Sequence, residues 1–183
     1  MFKLNIFKED KLNLKSTINI IILVMLISGL LGFIYEELFY RIDLGYFVKR
    51  GSTFGPIIPI YAFGGFFIVF LTYRFKDHPL LVVFLNIFIT GILEYATGYF
   101  LFEFKGIRLW DYNTEIWNFG NINGYICFRS VLLFGISSLF LIYVLVPFLI
   151  KIVKKYDEKK ISFISYLFGI IFLIDMILYG VIK

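Results

Sequence analysis

The chain has 183 residues, of which 60% are apolar, 21% aromatic and only 17% charged. A soluble domain carries about 25% charged residues and could not hide this much apolar surface, so the composition excludes one and points to an integral membrane protein. The net charge of +5 does not argue for nucleic acid, because the lysines fall in the pattern of membrane topology.

Residues 1–17 form a basic segment expected on the cytoplasmic side, ahead of an apolar run too long for a signal peptide, with no cleavage site after it. Five runs approach the roughly 20 apolar residues needed to cross a bilayer. They cover residues 18–40, 56–73, 79–104, 126–150 and 161–182. The second has Pro56 and Pro59 near its start and Gly64 and Gly65 in its middle. It is expected either to span fully or to be a re-entrant piece buried against the others. The predicted fold is all-α: a polytopic membrane bundle of about five transmembrane helices, one membrane domain over residues 1–183.

With the N-terminus inside, 11 basic residues fall in inner segments and 7 in outer ones, including Lys3 and Lys8 inside and Lys183 outside. This bias predicts a multi-pass protein of the cytoplasmic membrane with its C-terminus outside. Ten of thirteen lysines are inside, but four of five arginines are outside. Arginine suits bidentate contact with carboxylate or phosphate; alternatively these arginines snorkel or pair with nearby acids.

Three acids interrupt apolar runs. At about 1.5 Å per residue, Glu36, Glu94 and Asp175 lie roughly 27, 22 and 21 Å above the inner ends of their helices. All three are expected in the outer half of the bilayer, where an ionisable residue is expensive and marks a shared polar site. Asn86, Thr90 and Glu94 recur at helical spacing and form one polar stripe. Gly29, Gly32 and Glu36 share a face on which a neighbour can approach closely. Glu36 and Glu94 are expected either to bind a ligand or to pair with Arg50 or Arg129; Asp175 is expected to join this layer or to serve a local network near Tyr179.

Two outer segments look folded. One runs through Arg50-Gly51, Gly55-Pro56 and Pro59-Ile60-Tyr61. The other, residues 105–125, carries Trp110-Asp111-Tyr112, Trp117-Asn118 and Asn123-Gly124. It reads as a folded extracytoplasmic loop rather than a solvated connector.

These motifs, with Leu93-Glu94 and Ile126-Cys127, resemble the CmpB-like family of ABC-transporter-type permeases over residues 25–140. Lys49, Ala62 and Asn113 stand where the family pattern has asparagine, glycine and serine, and about three extra residues precede Asn123-Gly124. The resemblance implies a permease or transport component. The chain has no G-x-x-x-x-G-K-[ST], so ATP coupling would need a separate ATPase subunit. Five spans are few for a complete path, which makes a homo-oligomer or a partner subunit expected.

The candidate substrate-binding residues are Glu36, Arg50, Glu94, Trp110, Asp111, Tyr112, Asn118 and Arg129, lining an outer-leaflet site for a small polar, anionic or lipid-like substrate. An intramembrane enzyme acting on a lipid, or a non-catalytic membrane partner, are the alternatives. The lone Cys127 and lone His78 suggest neither disulfide nor metal site, and no cofactor is expected. No Ser-His-Asp set or H-E-x-x-H is present, which leans away from an enzyme.

Overall fold

The computed structural model describes residues 6–7 and 10–182; residues 1–5, 8, 9 and 183 lie outside them, and with them Lys3, Lys8 and Lys183 of the topology count. Helix α1 covers Leu14–Leu44. Its start is fixed by Asn13, whose side chain accepts from the backbone N–H of Ser16 at 2.7 Å. Its end is Gly45, at φ 80°, a left-handed stop that costs glycine little. Helix α2 covers Pro59–Thr72 and tightens into a 3₁₀ turn, Tyr73–Phe75; α3 covers Pro79–Lys105. Helix α4 (Phe128–Phe140) runs through a π turn, Leu141–Leu145, directly into α5 (Val146–Lys155). The wider turn precedes Pro147, which lacks an N–H for a regular ladder. Helix α6 covers Glu158–Ile182. Among the described residues there is no strand beyond one isolated bridge, Ile122 to Ile126.

Four segments are long and apolar enough to cross a membrane: Leu14–Leu44, Pro79–Lys105, Phe128–Lys155 and Glu158–Ile182. The fifth, Pro59–Phe75, is shorter. This is a helical membrane bundle, and the protein is a multi-pass membrane protein. The helices alternate between two ends. One, the loop end, gathers residues 45–58 and 106–127. The other gathers Asn13 and the turns at 76–78 and 156–157; there Asn13 donates to Glu158 at 2.6 Å.

The short second helix starts halfway along α1. Ile58 N–H donates to the Gly29 carbonyl at 3.2 Å, and Gly29 is the midpoint of α1. Residues 45–58 therefore run down beside the upper half of α1 without forming a helix. Non-helical backbone at membrane depth needs partners. Asp175 supplies two: its carboxylate accepts from the N–H groups of Phe54 at 2.9 Å and Gly55 at 2.8 Å. Glu37 accepts from Arg50 N–H, and the Thr53 hydroxyl donates to the Ile57 carbonyl at 2.7 Å. The apolar run starting at 56 is thus a half-length helix entered through an unwound segment, neither the full helical span nor the re-entrant piece expected from its prolines and glycines.

Small residues set the α1–α2 contact. Gly32 faces the ring of Tyr61 so closely that a Cβ would overlap it, and Gly65 faces Ser28 in the same way. Helices α1 and α6 run parallel and are joined by a buried polar pair of contacts: Asn19 donates to Ser162 and accepts from Ser165, both at 2.9 Å. Asn86 donates to Thr72 at 3.1 Å and ties α3 to α2.

The main apolar core lies toward the end opposite the loops, built from Ile20, Val24, Ile68, Val69, Val82, Ile142 and Val146. Fully buried Phe7 belongs to it, edge-on to Tyr73 at 4.8 Å. The Tyr73 hydroxyl also donates to Asp10 at 3.0 Å. Residues 6, 7 and 10–12 thereby pack under the short α2. The loop-end half of the bundle is where polar side chains collect.

Candidate functional site

On α1 the residues Tyr35, Glu36, Phe39 and Tyr40 fall on one helical face. The first turn of α2 adds Ile60 and Tyr61, α3 adds Glu94, and the first turn of α4 adds Arg129 and Ser130. The 106–127 loop closes over them. Trp110 Nε1 donates to the Tyr125 carbonyl at 3.0 Å, and Asn118 donates to the Tyr112 carbonyl at 2.8 Å. These bonds fold the loop so that Trp110, Tyr112 and Glu115 point inward. Together these groups enclose a small cavity of about 30 Å³.

Two ion pairs brace it. Arg50 Nε meets Glu36 Oε2 at 3.1 Å, and Arg129 Nη2 meets Glu115 Oε2 at 2.7 Å. Arg50 also donates to the Leu109 carbonyl at 3.1 Å and lies over the Tyr40 ring at 3.8 Å. Arg129 donates to the Tyr35 hydroxyl at 2.9 Å and lies over the Phe39 ring at 4.0 Å. The Tyr40 hydroxyl donates to Glu115, linking the two pairs. The buried Nε of Arg129 has no hydrogen-bond partner.

Glu94 differs from the other two carboxylates. It is 4% exposed, and its bonds come from neutral groups, the Tyr112 hydroxyl and Ser130 Oγ, the latter at 2.7 Å. The sequence suggested Arg50 or Arg129 as its partner; the structure gives Arg50 to Glu36 and Arg129 to Glu115. Burial pushes the Glu115 carboxyl above its ordinary range, against the opposing pull of the Tyr40 hydroxyl and Arg129. Burial, with Glu94 beside it, likewise holds the Tyr112 hydroxyl well above its ordinary value.

Five of the residues singled out by sequence line the cavity, Glu36, Glu94, Trp110, Tyr112 and Arg129, and Arg50 is tied to them from outside through Glu36. Asp111 and Asn118 are not in the wall. Asp111 pairs with Arg108 at 2.7 Å and accepts from Asn113 N–H at 3.0 Å, shaping the loop turn. Asp175 is engaged by residues 54 and 55 and stands outside the cavity. Sequence reasoning missed Glu115, Tyr35, Tyr40 and Ser130. For Glu115 the available signal was weak: it is the one acid besides Asp111 in a long aromatic loop.

Among the described residues no group of His, Cys, Asp or Glu is placed to hold a metal ion. The cluster can do two things chemically. It can present guanidinium donors to an anion, and it can hold a carboxyl group away from water without a counter-ion. No curated protein and no solved structure matches the chain. A family model does, over residues 22–179, a stretch containing every residue of the cavity; the chain belongs to the family described as Putative ABC-transporter type IV.

Proposed function

We propose that the chain is the membrane component of an ABC-type transport system and that the loop-end cluster is its solute site, for a small polar, anionic or lipid-like substrate. In this reading the protein sits in the cytoplasmic membrane, N-terminus inside and C-terminus outside, so that the cavity opens toward the outer leaflet. A separate subunit supplies ATP hydrolysis. Family membership supports the class.

The observation that carries the site is the buried Nε of Arg129, which has no hydrogen-bond partner, beside a cavity walled by the Arg129–Glu115 pair and by Glu36. A buried N–H without an acceptor is costly, and an oxyanion entering the cavity would supply one. Arg50 would act on the solute through Glu36, which it holds from outside the cavity, with Trp110 and Tyr112 as the aromatic walls. Glu94, hydrogen-bonded only to hydroxyls, is the acid whose protonation would be coupled to occupancy. Asp111 and Asn118 act by holding the loop in place.

A second reading follows from the pairing itself. Each arginine of the cluster already has a carboxylate, as in a layer that only holds helices together in a non-catalytic membrane partner. The test is mass spectrometry of polar metabolites retained by gently purified protein, comparing wild type with Arg129→Gln and Glu94→Gln, each checked for folding. A polar anion kept by wild type and lost from folded Arg129→Gln supports the solute site. Identical contents in three folded proteins would leave the structural layer.

A further inference from the structure

Above the contact of Thr72 with Asn86, helices α2 and α3 separate toward the loop end. The space between them, bordered also by α6, is a cleft of about 560 Å³, within the roughly 300–1,000 Å³ typical of ligand pockets. Its wall and its mouth differ in chemistry. Its apolar wall is formed by Phe63 and Phe67 of α2 and by Leu93 and Leu101 of α3. The mouth at the loop end holds Lys49, Arg50 and Lys105.

Charge pairing at the mouth is incomplete. Arg50 is neutralised by Glu36. Lys49 and Lys105 are exposed, and no described carboxylate pairs with either. Lys49 rests against the Phe54 ring at 5.7 Å. The mouth therefore carries two uncompensated positive charges above an apolar trough. A neutral lipid matches the trough and ignores the charges; a free anion matches the charges and ignores the trough. An anionic lipid matches both.

We propose that this cleft is a binding site for one anionic membrane lipid, with an acyl chain along Phe63, Phe67, Leu93 and Leu101 and the headgroup phosphate between Lys49 and Lys105. The site is distinct from the small cavity and stands whether or not that cavity carries solute. The two adjoin, because Glu36, Ile60 and Trp110 line both. A bound headgroup would thus sit against the back of the Arg50–Glu36 pair.

The test uses the full chain in nanodiscs of phosphatidylcholine with a minor fraction of phosphatidylglycerol. The protein is then extracted in mild detergent and its retained lipids are quantified. A juxtamembrane lysine facing an anionic lipid contributes about 1 kcal/mol, or about fivefold in preference. Wild type should be enriched in phosphatidylglycerol over the disc composition. Lys49→Ala and Lys105→Ala should each lower the enrichment about fivefold, and the double variant should abolish it. Lys49→Arg with Lys105→Arg should retain it. Thr97→Trp, placed in the cleft wall, should expel the lipid while leaving both lysines in place. Retained lipid at the disc composition in wild type would overturn the proposal, as would enrichment unchanged in the double lysine variant. Both lysines lie outside the small cavity, so these outcomes are independent of the solute test.

Discussion

Glu115→Ala would remove the acceptor of two buried donors at once. The Glu115 carboxylate is 7% exposed and takes hydrogen bonds from Arg129 Nη2 at 2.7 Å and from the Tyr40 hydroxyl. Alanine leaves a guanidinium whose side chain is 14% exposed without its counter-ion. Breaking one side of a buried pair costs about 3–5 kcal/mol, and an orphaned hydroxyl adds about 1–3 kcal/mol. Arg129 keeps its bond to Tyr35 and its place over the Phe39 ring. The expected loss is therefore in the lower part of the combined range, about 4 kcal/mol. Removing both partners together, as Glu115→Leu with Arg129→Met, leaves no uncompensated charge and should recover about 2 kcal/mol of that loss. The pH dependence has a definite sign. Burial raises the folded carboxyl's pKa, so the folded state holds this proton more tightly than the unfolded chain does. The stability it contributes is full below the ordinary carboxylate range and is lost as pH rises through the raised value. Glu115→Gln should flatten that part of the profile. The assay is equilibrium unfolding in mixed micelles at several pH values, followed by the fluorescence of Trp110 and Trp117. A Glu115→Ala loss below about 1 kcal/mol, the worth of a solvent-screened pair, would refute the reasoning. So would a double variant as unstable as the two single changes added together.

Asp175→Ala should cost about 3 kcal/mol, because it strips a charged acceptor from two backbone donors at about 1.5–3 kcal/mol each. Amide hydrogen exchange at Phe54 and Gly55 should accelerate while that of α4 stays unchanged; equal protection at both sites would show that the unwound segment is held by something else. Gly32→Ala should destabilise by about 1–3 kcal/mol through overlap with Tyr61. Unfolding measurements should show the loss relieved when Tyr61 is shortened to alanine in the same chain; an additive loss would place the strain elsewhere.

The long helices were legible because each is a single apolar run ended by a residue with a clear local reason. Gly106, for instance, closes α3 at φ 65°. Hydropathy was less informative from Pro56 to Ile58. An apolar helix and an apolar unwound segment have the same composition, and what separates them here is a distant acceptor, Asp175, on α6. The same contact explains why Asp175 resembled a member of the polar layer: depth along a helix axis is readable from sequence, but direction around the bundle is not. Glu36, Glu94 and Arg129 could be grouped because helical rise places them at one level. Glu115 could not, since its depth depends on how the 106–127 loop folds back, through the bonds of Trp110 and Asn118 to loop carbonyls. Partner choice was likewise hidden: Glu94 and Glu115 compete for the same arginine, and loop geometry decides in favour of Glu115.

The clasp of Phe7 and Asp10 on Tyr73 makes the far end of α2 a handle. From Pro59 to Phe75 the helix is a short rod of about 25 Å, with Ile60 and Tyr61 at its tip in the cavity wall. The Tyr143 hydroxyl, which donates to the Lys76 carbonyl at 2.5 Å, gives the rod a bearing just beyond its lower end. A force applied to Phe7 or Asp10 from that face would be delivered as leverage at Tyr61, half the bundle away, without any direct contact with the cavity.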